Sequence, residues 1–477
     1  LAAAPASLVS YVRPRLPFIL LAAVCVLSFG LNARMAADPR NDYQSADERS
    51  YGKLAIDIAD NRKYGSRETN MKEPLHWPPG APVLFAVTYK LFGSDADRKD
   101  FDIEAVYWTQ ALVTTGTTAM AFLLAWLLVG RWAGLIAGLI VATYAPLIGA
   151  TGDQLSEPLG AFLLIAAFTV LALAIERERR PWLFAASGAL FGLTILTRTD
   201  LLPVPFLIAG AMVGLTLLRR REIVPQLKTY GVLAVAAGVV LLPWTIYASA
   251  EEGRFVPVTV GSASALFVGT YLPGGGTTMG MKVHIEDELR RRHPEYGGMK
   301  TYKIPAADAL EIFAERHPDL PRDQALQKEA RKNLIHYSTT QPVAFAKMQW
   351  SKAKRMWFFY YRGGGVHYIS TPMRIWQVVL VILAGLGLLA GFVRRRHPLL
   401  GAVLITIAFS TLIHTIVVSQ ARYNLPLMPT FVAAGVVGWF FALQRRPAAS
   451  EAETATMPEW NSEPSASGAA SATAPAT

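Results

Sequence analysis

The sequence predicts an all-α polytopic membrane protein with about ten transmembrane helices. Three observations lead there. The chain has 477 residues, 52% of them hydrophobic, and a mean hydropathy of +0.30, a combination that soluble chains of this length rarely reach. The apolar residues come in continuous blocks of about 18 to 22, the length needed to cross ~30 Å of hydrocarbon, with none of the period-2 alternation of a membrane β-barrel. The Lys and Arg residues cluster between those blocks. The net charge of +11 therefore reads as membrane topology and gives no reason to expect a nucleic-acid partner.

Taken in order, the blocks place helices near 17–35, 104–129, 133–150, 155–176, 182–199, 201–218, 229–249, 373–393, 398–418 and 425–443. Arg13 and Arg15 precede the first block, which could serve as a signal-peptide core. The many later spans favour an uncleaved first helix. With residues 1–16 cytoplasmic, the inside loops carry "GRW", "ERERR", "LLRRRE", "VRRRHP" and "QRRP", each of them basic, as the positive-inside rule requires. The opposite orientation breaks the rule at every loop. Cys25 is the only cysteine and sits inside the first block, so there is no disulfide framework and no cysteine metal site.

The blocks divide the chain into an N-terminal transmembrane module, 17–249, whose first outer loop is 36–103. An extracytoplasmic region, 250–372, follows, then C-terminal transmembrane helices, 373–446. Within the first loop, 81–92 is apolar but too short to span, which predicts an interfacial or re-entrant segment. The second outer region is polar and Pro/Gly-punctuated, with helical stretches such as 306–338. The tail 447–477 is rich in Ala, Ser, Pro and Glu, the composition of a disordered cytoplasmic segment.

The outer face collects charge. In "SADERSYGKLA", Ser45 and Glu48 fit a capping box. Tyr51, Leu54, Ala55 and Ile58 then recur at helical spacing. Spacing alone gives Asp47 the role of complementing the helix dipole. In "KEPLHWPPGAP", four prolines stiffen a loop whose His76 and Trp77 suit a water–lipid interface. The functional alternative to a rigid interfacial loop is one wall of a substrate cleft, with Glu73 facing it. In "TGDQLSEP", Asp153 and Glu157 are i, i+4 at a helix start. Glu157 stands at the rim of an apolar block, where a charge is costly unless it is used or paired.

Arg198 in "LTRTD" and Arg422 in "SQARYNLP" lie at outer helix ends, where topology does not call for a cation. Together with the carboxylates on the same side they suggest a site for an anion, phosphate above all. Lys352, Lys354 and Arg355, in the amphipathic "MQWSKAKRMWFFYYRGG", could add positive charge to it. Carboxylates and arginines at the outer rim suit one chemistry: Arg binds a lipid phosphate while a carboxylate deprotonates an acceptor hydroxyl.

These segments resemble the integral-membrane glycosyltransferases of the GT-C fold. The nearest likeness is to the family 39 group, with the protein O-mannosyltransferases and aminoarabinose lipid A transferases as relatives. "DERSYGKLA" looks like the first-loop acidic motif. "HWPPGAPVLFAVTYKLFG" resembles the Trp-Pro-Pro-Gly-x-Pro segment, and "LSEPLGAFLL" the fourth-helix start. "GALFGLTILTR" resembles the Gly-rich helix ending in Leu-Thr-Arg. "LLPW" followed by "GRFVPVTVGSASALFVGT" resembles the opening of the large outer loop, and "ARYNLPLMP" the late Arg-Tyr motif, where Tyr423 would line the cleft with Tyr51. The likeness covers residues 15–445. There are two departures. After Pro243 and Trp244 the relatives usually have Arg-Asn, but this chain has "TIYAS", which puts one donor contact in doubt. "WPPG" also differs from the "KPPL"-like form of aminoarabinose transferases and argues against that sugar.

The resemblance implies transfer of a hexosyl or pentosyl unit from a polyprenyl-phosphate sugar donor to a hydroxyl acceptor (lipid, glycan or protein) with inversion. The reaction would take place at the outer face of the inner (plasma) membrane, with both termini cytoplasmic. It makes Asp47 the general base, with Glu48 beside it as a second candidate. Arg198 and Arg422, with Lys354 as a weaker contributor, would hold the donor phosphate. No cofactor is obligatory on this reading, although Asp47, Asp153 and Glu157 together could hold a divalent cation. The rival classes are a polytopic transporter or lipid flippase of cell-envelope precursors, and a receptor or assembly factor. The first would place charges at mid-membrane depth and show paired repeats. Here the charges sit at helix rims and no repeat is evident. His414, inside 398–418, reads as a hydrogen-bonded interior histidine.

Overall fold

The apolar blocks become helices, and the irregular backbone gathers at one end of them. The computed structural model describes residues 15–38, 45–66, 73–177, 180–218, 223–359 and 371–444. The tail 447–477 and parts of the basic loops, 178–179 and 219–222, lie outside the described residues. Residues 1–442 form one compact unit; of the second, 443–477, only the first two residues are described.

We number the helices of nine residues or more. The membrane helices are α1 (Leu16–Ala37), α4 (Glu104–Leu128), α5 (Arg131–Ala142), α6 (Glu157–Glu176), α7 (Pro181–Ile195), α8 (Val204–Leu218), α9 (Val232–Glu252), α14 (Thr371–Arg395), α15 (Pro398–Ile416) and α16 (Met428–Leu443). In the first loop lie α2 (Ala46–Ala59) and α3 (Gly80–Phe92). Between α9 and α14 a lobe carries α10 (Ser262–Thr270), α11 (Ala306–Ala314), α12 (Arg322–Thr340) and α13 (Pro342–Phe358).

Helices stand at all ten expected places. Among the described residues seven segments are long and apolar enough to cross a membrane, α8 being counted with the turn that precedes it, whereas α5, α7 and α16 are shorter. Each is short for a local reason. The span expected at 133–150 breaks after Ala142, because Pro146 cannot continue a helix through Thr143 and Tyr144, and resumes at Ala145–Ala150. The span at 182–199 stops at Ile195, and the chain turns through Arg198 into a 3₁₀ turn, Thr199–Leu201. The last span begins at Met428 after a 3₁₀ turn over Ala421–Asn424. Irregular backbone is tolerated at membrane depth only where it is buried in protein or lines a cavity, and these breaks lie at the lobe end.

Helix association in lipid depends on close packing more than on the hydrophobic effect. At the α14–α16 seam a Cβ added to Gly387 would lie 2.3 Å from the Gly435 carbonyl oxygen, and one on Gly391 would lie 2.3 Å from Gly438 Cα. The two backbones therefore touch, and this requires glycine. The bundle core is built from Phe168, Phe184, Phe191 and Leu164 with Met428 and Val403. At the end remote from the lobe, Arg131, Arg177, Arg180, Arg394 and Arg395 collect, and His397 meets Glu176 at 3.0 Å.

The expected interfacial segment is α3. Val83, Val87 and Leu91 are exposed along one stripe, while Phe85 is buried against Tyr51 of α2. The lobe has its own core around Phe267, Phe313, Met281 and Leu326. It is fastened to the bundle by α13, which descends beside the end of α15. The buried Lys352 ammonium donates to the carbonyls of Gly269 and Ile416, at 2.8 and 3.2 Å. Five residues later, Trp357 Nε1 donates to Thr411 Oγ1 at 3.0 Å.

Candidate active site

The site is built by segments that fold against one another at the lobe end. In the first loop, Ser45 caps α2. Its hydroxyl accepts from the Glu48 amide at 3.3 Å, and its own amide donates to Glu48 Oε2 at 2.7 Å. That box fixes the first turn, in which Asp47 projects into the cleft. The "HWPPG" stretch docks on the end of α7, where the Gly80 amide donates to the Leu196 carbonyl at 2.7 Å. A Cβ on Gly80 would meet Thr197 Oγ1 at 2.3 Å, so only glycine permits the approach. Tyr64 donates to the Trp77 carbonyl at 2.9 Å, and the Val260 amide donates to the Leu75 carbonyl at 3.0 Å. The second contact ties the lobe to the same loop. Gly261 has φ +88°, and a Cβ there would lie 2.3 Å from His76 Nδ1.

These elements enclose a cleft of about 470 Å³. Its polar wall carries Asp47, Tyr51, His76, Trp77, Glu157, Arg198, Asp200, His414, Arg422 and Tyr423. Its apolar wall includes Leu202, Val258, Ile413, Val417 and Val418. The apolar side adjoins the membrane ends of α8 and α15.

A chain of ion pairs runs through the polar wall. Arg422 Nη2 is ion-paired with Asp47 Oδ2, and Arg422 Nε donates to Gln420 Oε1 at 3.0 Å. Glu157 Oε1 lies 3.5 Å from Arg422 Nε and accepts from Arg198 Nη1 at 3.2 Å. Arg198 Nε donates to Asp200 Oδ1 at 3.2 Å, and Asp200 Oδ2 lies 3.3 Å from His414 Nε2. The Tyr423 ring lies beneath both guanidiniums, 5.3 and 5.9 Å from their carbons, and 4.9 Å from the His414 ring. Three carboxylates thus stand among two guanidiniums. Burial on its own would raise the Asp47 pKa, but the charge and hydrogen bond of Arg422 outweigh it and hold the carboxyl below its ordinary value. Burial, which disfavours the charged form, lowers the pKa of His76 and raises that of Tyr423.

The sequence-based candidates separate into two groups. Asp47, Tyr51, His76, Trp77, Glu157, Arg198, Arg422 and Tyr423 meet in the cleft. Glu48, Asp153, Glu73 and Lys354 are not among its lining residues. Glu48 is buried behind Asp47, where it closes the capping box and accepts from the Gln154 amide at 3.1 Å. Asp153 is buried beside it, and its carbonyl accepts from Gln110. Glu73 is ion-paired with Arg322 of the lobe. Lys354 is exposed, because two residues on a helix turn the side chain through roughly 200°, and Lys352 takes the inward position.

Of the three carboxylates that could hold a divalent cation, Asp47 and Glu157 line the cleft and Asp153 is not among its lining residues. The two in the cleft are held by arginines. Among the described residues no three His, Cys, Asp or Glu side chains come together as metal ligands. Sequence reading passed over Asp200 and gave His414 only an interior role, yet both line the cleft. The available signal for Asp200 was a carboxylate at the mouth of a long apolar helix, two residues after an arginine.

Residues 76–247 match the family described as dolichyl-phosphate-mannose-protein mannosyltransferase. No curated protein matches the chain by sequence. Among solved structures, the chain is similar to the archaeal oligosaccharyltransferase AglB from Archaeoglobus fulgidus in complex with an inhibitory peptide and a dolichol-phosphate. The identity is 14% and the TM-score 0.56, over 91% of this chain and 50% of that one. The Archaeoglobus fulgidus oligosaccharyltransferase tethered with an acceptor peptide containing the NVT sequon gives 15% identity and a TM-score of 0.54, over 91% and 50%. ArnT from Cupriavidus metallidurans bound to undecaprenyl phosphate gives 16% identity over 87% and 77%, with a TM-score of 0.37, too loose an overlay to carry an argument. The chain spans about half the length of the oligosaccharyltransferases it matches. It is a multi-pass membrane protein with the GT-C fold, and its segment 76–247 matches a glycosyltransferase family.

Proposed function

We propose that this chain is an inverting glycosyltransferase that moves one sugar from a polyprenyl-phosphate donor to a hydroxyl acceptor at the non-cytoplasmic face of the membrane. One observation carries the reading. Asp47, Glu157, Arg198 and Arg422, from four segments remote in the chain, converge in one cleft beside an apolar wall. The family match and the fold support the same class of reaction. The related oligosaccharyltransferase, bound to a dolichol-phosphate, supports a lipid-phosphate ligand. The basic loops at the far end support a cytoplasmic placement for that end.

In the reaction, the acceptor hydroxyl attacks the anomeric carbon from the face opposite the phosphate. The new C–O bond forms as the bond to phosphate oxygen breaks, and inversion follows. Asp47 takes the hydroxyl proton, a contribution of ~10²–10⁴ in rate. The phosphate leaves as an anion toward Arg422 and Arg198, which are already oriented by Glu157, Asp200 and Tyr423. The polyprenyl tail lies along Leu202, Ile413 and Val417, where dispersion and exclusion of water suffice. The arginines supply the charge stabilisation.

The test is a transfer assay with purified full-length protein and a panel of polyprenyl-phosphate sugars, comparing wild type with Asp47→Asn. Wild-type turnover in the variant would remove Asp47 as the base. Solute uptake into sealed vesicles with no transfer product would assign the chain to the transporters instead.

A further inference from the structure

Asp47 and Arg422 have separate tasks in the proposed reaction, yet the structure binds them to each other. A base must turn a carboxylate oxygen to the acceptor hydroxyl. A phosphate ligand must turn its guanidinium to the leaving group. In the described site, Arg422 Nη2 is spent on Asp47 Oδ2.

The two edges of Arg422 are held differently. Its Nε edge faces Gln420, its neighbour in the same turn, at 3.0 Å, and Glu157 at 3.5 Å. Glu157 is only 3% exposed and is also held by Arg198. These partners are built into the fold. The Nη2 tip instead meets Asp47, whose side chain is 37% exposed and opens onto the cleft. The tip is therefore the edge that can change partner.

Charge balance requires it to do so. The cleft already sets three carboxylates against two guanidiniums. A phosphate entering beside Asp47 would add a fourth anion to a site walled by low-dielectric protein, where like charges repel strongly. We propose that the donor phosphate exchanges with Asp47 at the Nη2 tip of Arg422, so that donor binding itself frees the Asp47 carboxylate for the acceptor hydroxyl. Arg422 keeps an anion throughout, and the base becomes available only once a sugar is in place to receive the acceptor. No bond other than hydrogen bonds and ion pairs changes in this step. The exchange rests on the glycosyltransferase reading, since it identifies the incoming anion as the donor's phosphate.

The experiment measures binding of a polyprenyl monophosphate, without sugar, to the full-length protein in lipid nanodiscs. Asp47→Asn removes the competing charge and keeps the shape, so it should tighten binding about tenfold, equivalent to ~1.4 kcal/mol. Asp47→Glu keeps a competitor and should bind close to wild type, whereas Arg422→Gln should weaken binding. If wild type binds and Asp47→Asn binds no more tightly, the exchange is wrong while the glycosyltransferase reading stands. Equal tightening in the Asn and Glu variants would mean that the charge at residue 47 is not the competitor and also overturns the exchange. Failure of every form to bind polyprenyl phosphate overturns both.

Discussion

Asp47 and Arg422 stand 375 residues apart in the chain and form an ion pair across the mouth of one cleft. Asp47 lies in the first turn of a capped helix, so its own backbone is fixed independently of the pair. Replacing its carboxylate by an amide should therefore leave the fold intact and remove the chemistry. We expect Asp47→Asn to lower sugar transfer by ~10²–10⁴-fold, with thermal unfolding lowered only slightly by the lost pair with Arg422. A large joint fall in activity and unfolding temperature would show a structural role instead.

The two arginines should fail in different ways. Arg198 is 10% exposed and is the partner of both Glu157 and Asp200. Arg198→Gln leaves those carboxylates under-compensated and should cost roughly 3–5 kcal/mol of stability, as breaking a buried ion pair does. Arg422→Gln should mainly raise the KM for donor. Arg422→Lys should not rescue it, because an ammonium cannot serve Glu157, Asp47 and a phosphate along one planar fork. Thermal unfolding and donor titration of the same three variants check both statements.

Glu48 serves as a cap, and its titration offers a test. Burial, followed by the nearby Asp153 charge, pushes its carboxyl up to about 7 from an ordinary 4.5. Between those values the folded chain holds a proton that the unfolded chain has lost. The stabilisation from this group is complete below about 4.5 and is lost as pH rises through about 7. Glu48→Gln should therefore flatten the decline in stability between pH 5 and 8 and keep transfer activity. Loss of activity without loss of stability would return Glu48 to the catalytic set. The check is unfolding followed across that pH range.

How much of this could be read in the chain depends on what each signal measures. The spans were legible because hydrocarbon imposes a length, yet the breaks at Thr143 and Leu196 were not, since block hydropathy does not register a lost turn. Arg198, Arg422 and Glu157 were found because a charge at an apolar rim demands a partner. Asp200 was missed because a carboxylate two residues from an arginine reads as a local pair; only the fold brings His414 to its other oxygen. Lys354 was preferred to Lys352 although the two differ only in helix register. Lys352 shares the buried face of α13 with Phe345, Met348 and Met356, but a lysine on an apolar face reads as one that snorkels outward, which hid its inward role. Glu73 faced a cleft in the sequence reading because nothing there revealed Arg322, which lies 249 positions further along in the lobe.

The docking of the "WPPG" loop can be tested through stability. The Gly80 amide bonds the Leu196 carbonyl, and this contact sets His76 and Trp77 against the turn that carries Arg198. A methyl group at residue 80 would lie 2.3 Å from Thr197 Oγ1 and 2.8 Å from the Leu196 oxygen. One of these atoms is backbone and cannot rotate away, so the loop must lift. Gly80→Ala should cost roughly 1–3 kcal/mol, the usual penalty of overpacking a tight contact. Since Arg198 sits two residues past Leu196, the lift should also displace it and reduce donor binding. Gly80→Ala paired with Thr197→Ser tests the geometry. The serine keeps the hydroxyl that collides and removes only a methyl, so it should not restore stability, whereas Thr197→Ala removes the colliding oxygen and should recover part of it. Equal recovery in both pairs would mean that the collision is not with the hydroxyl.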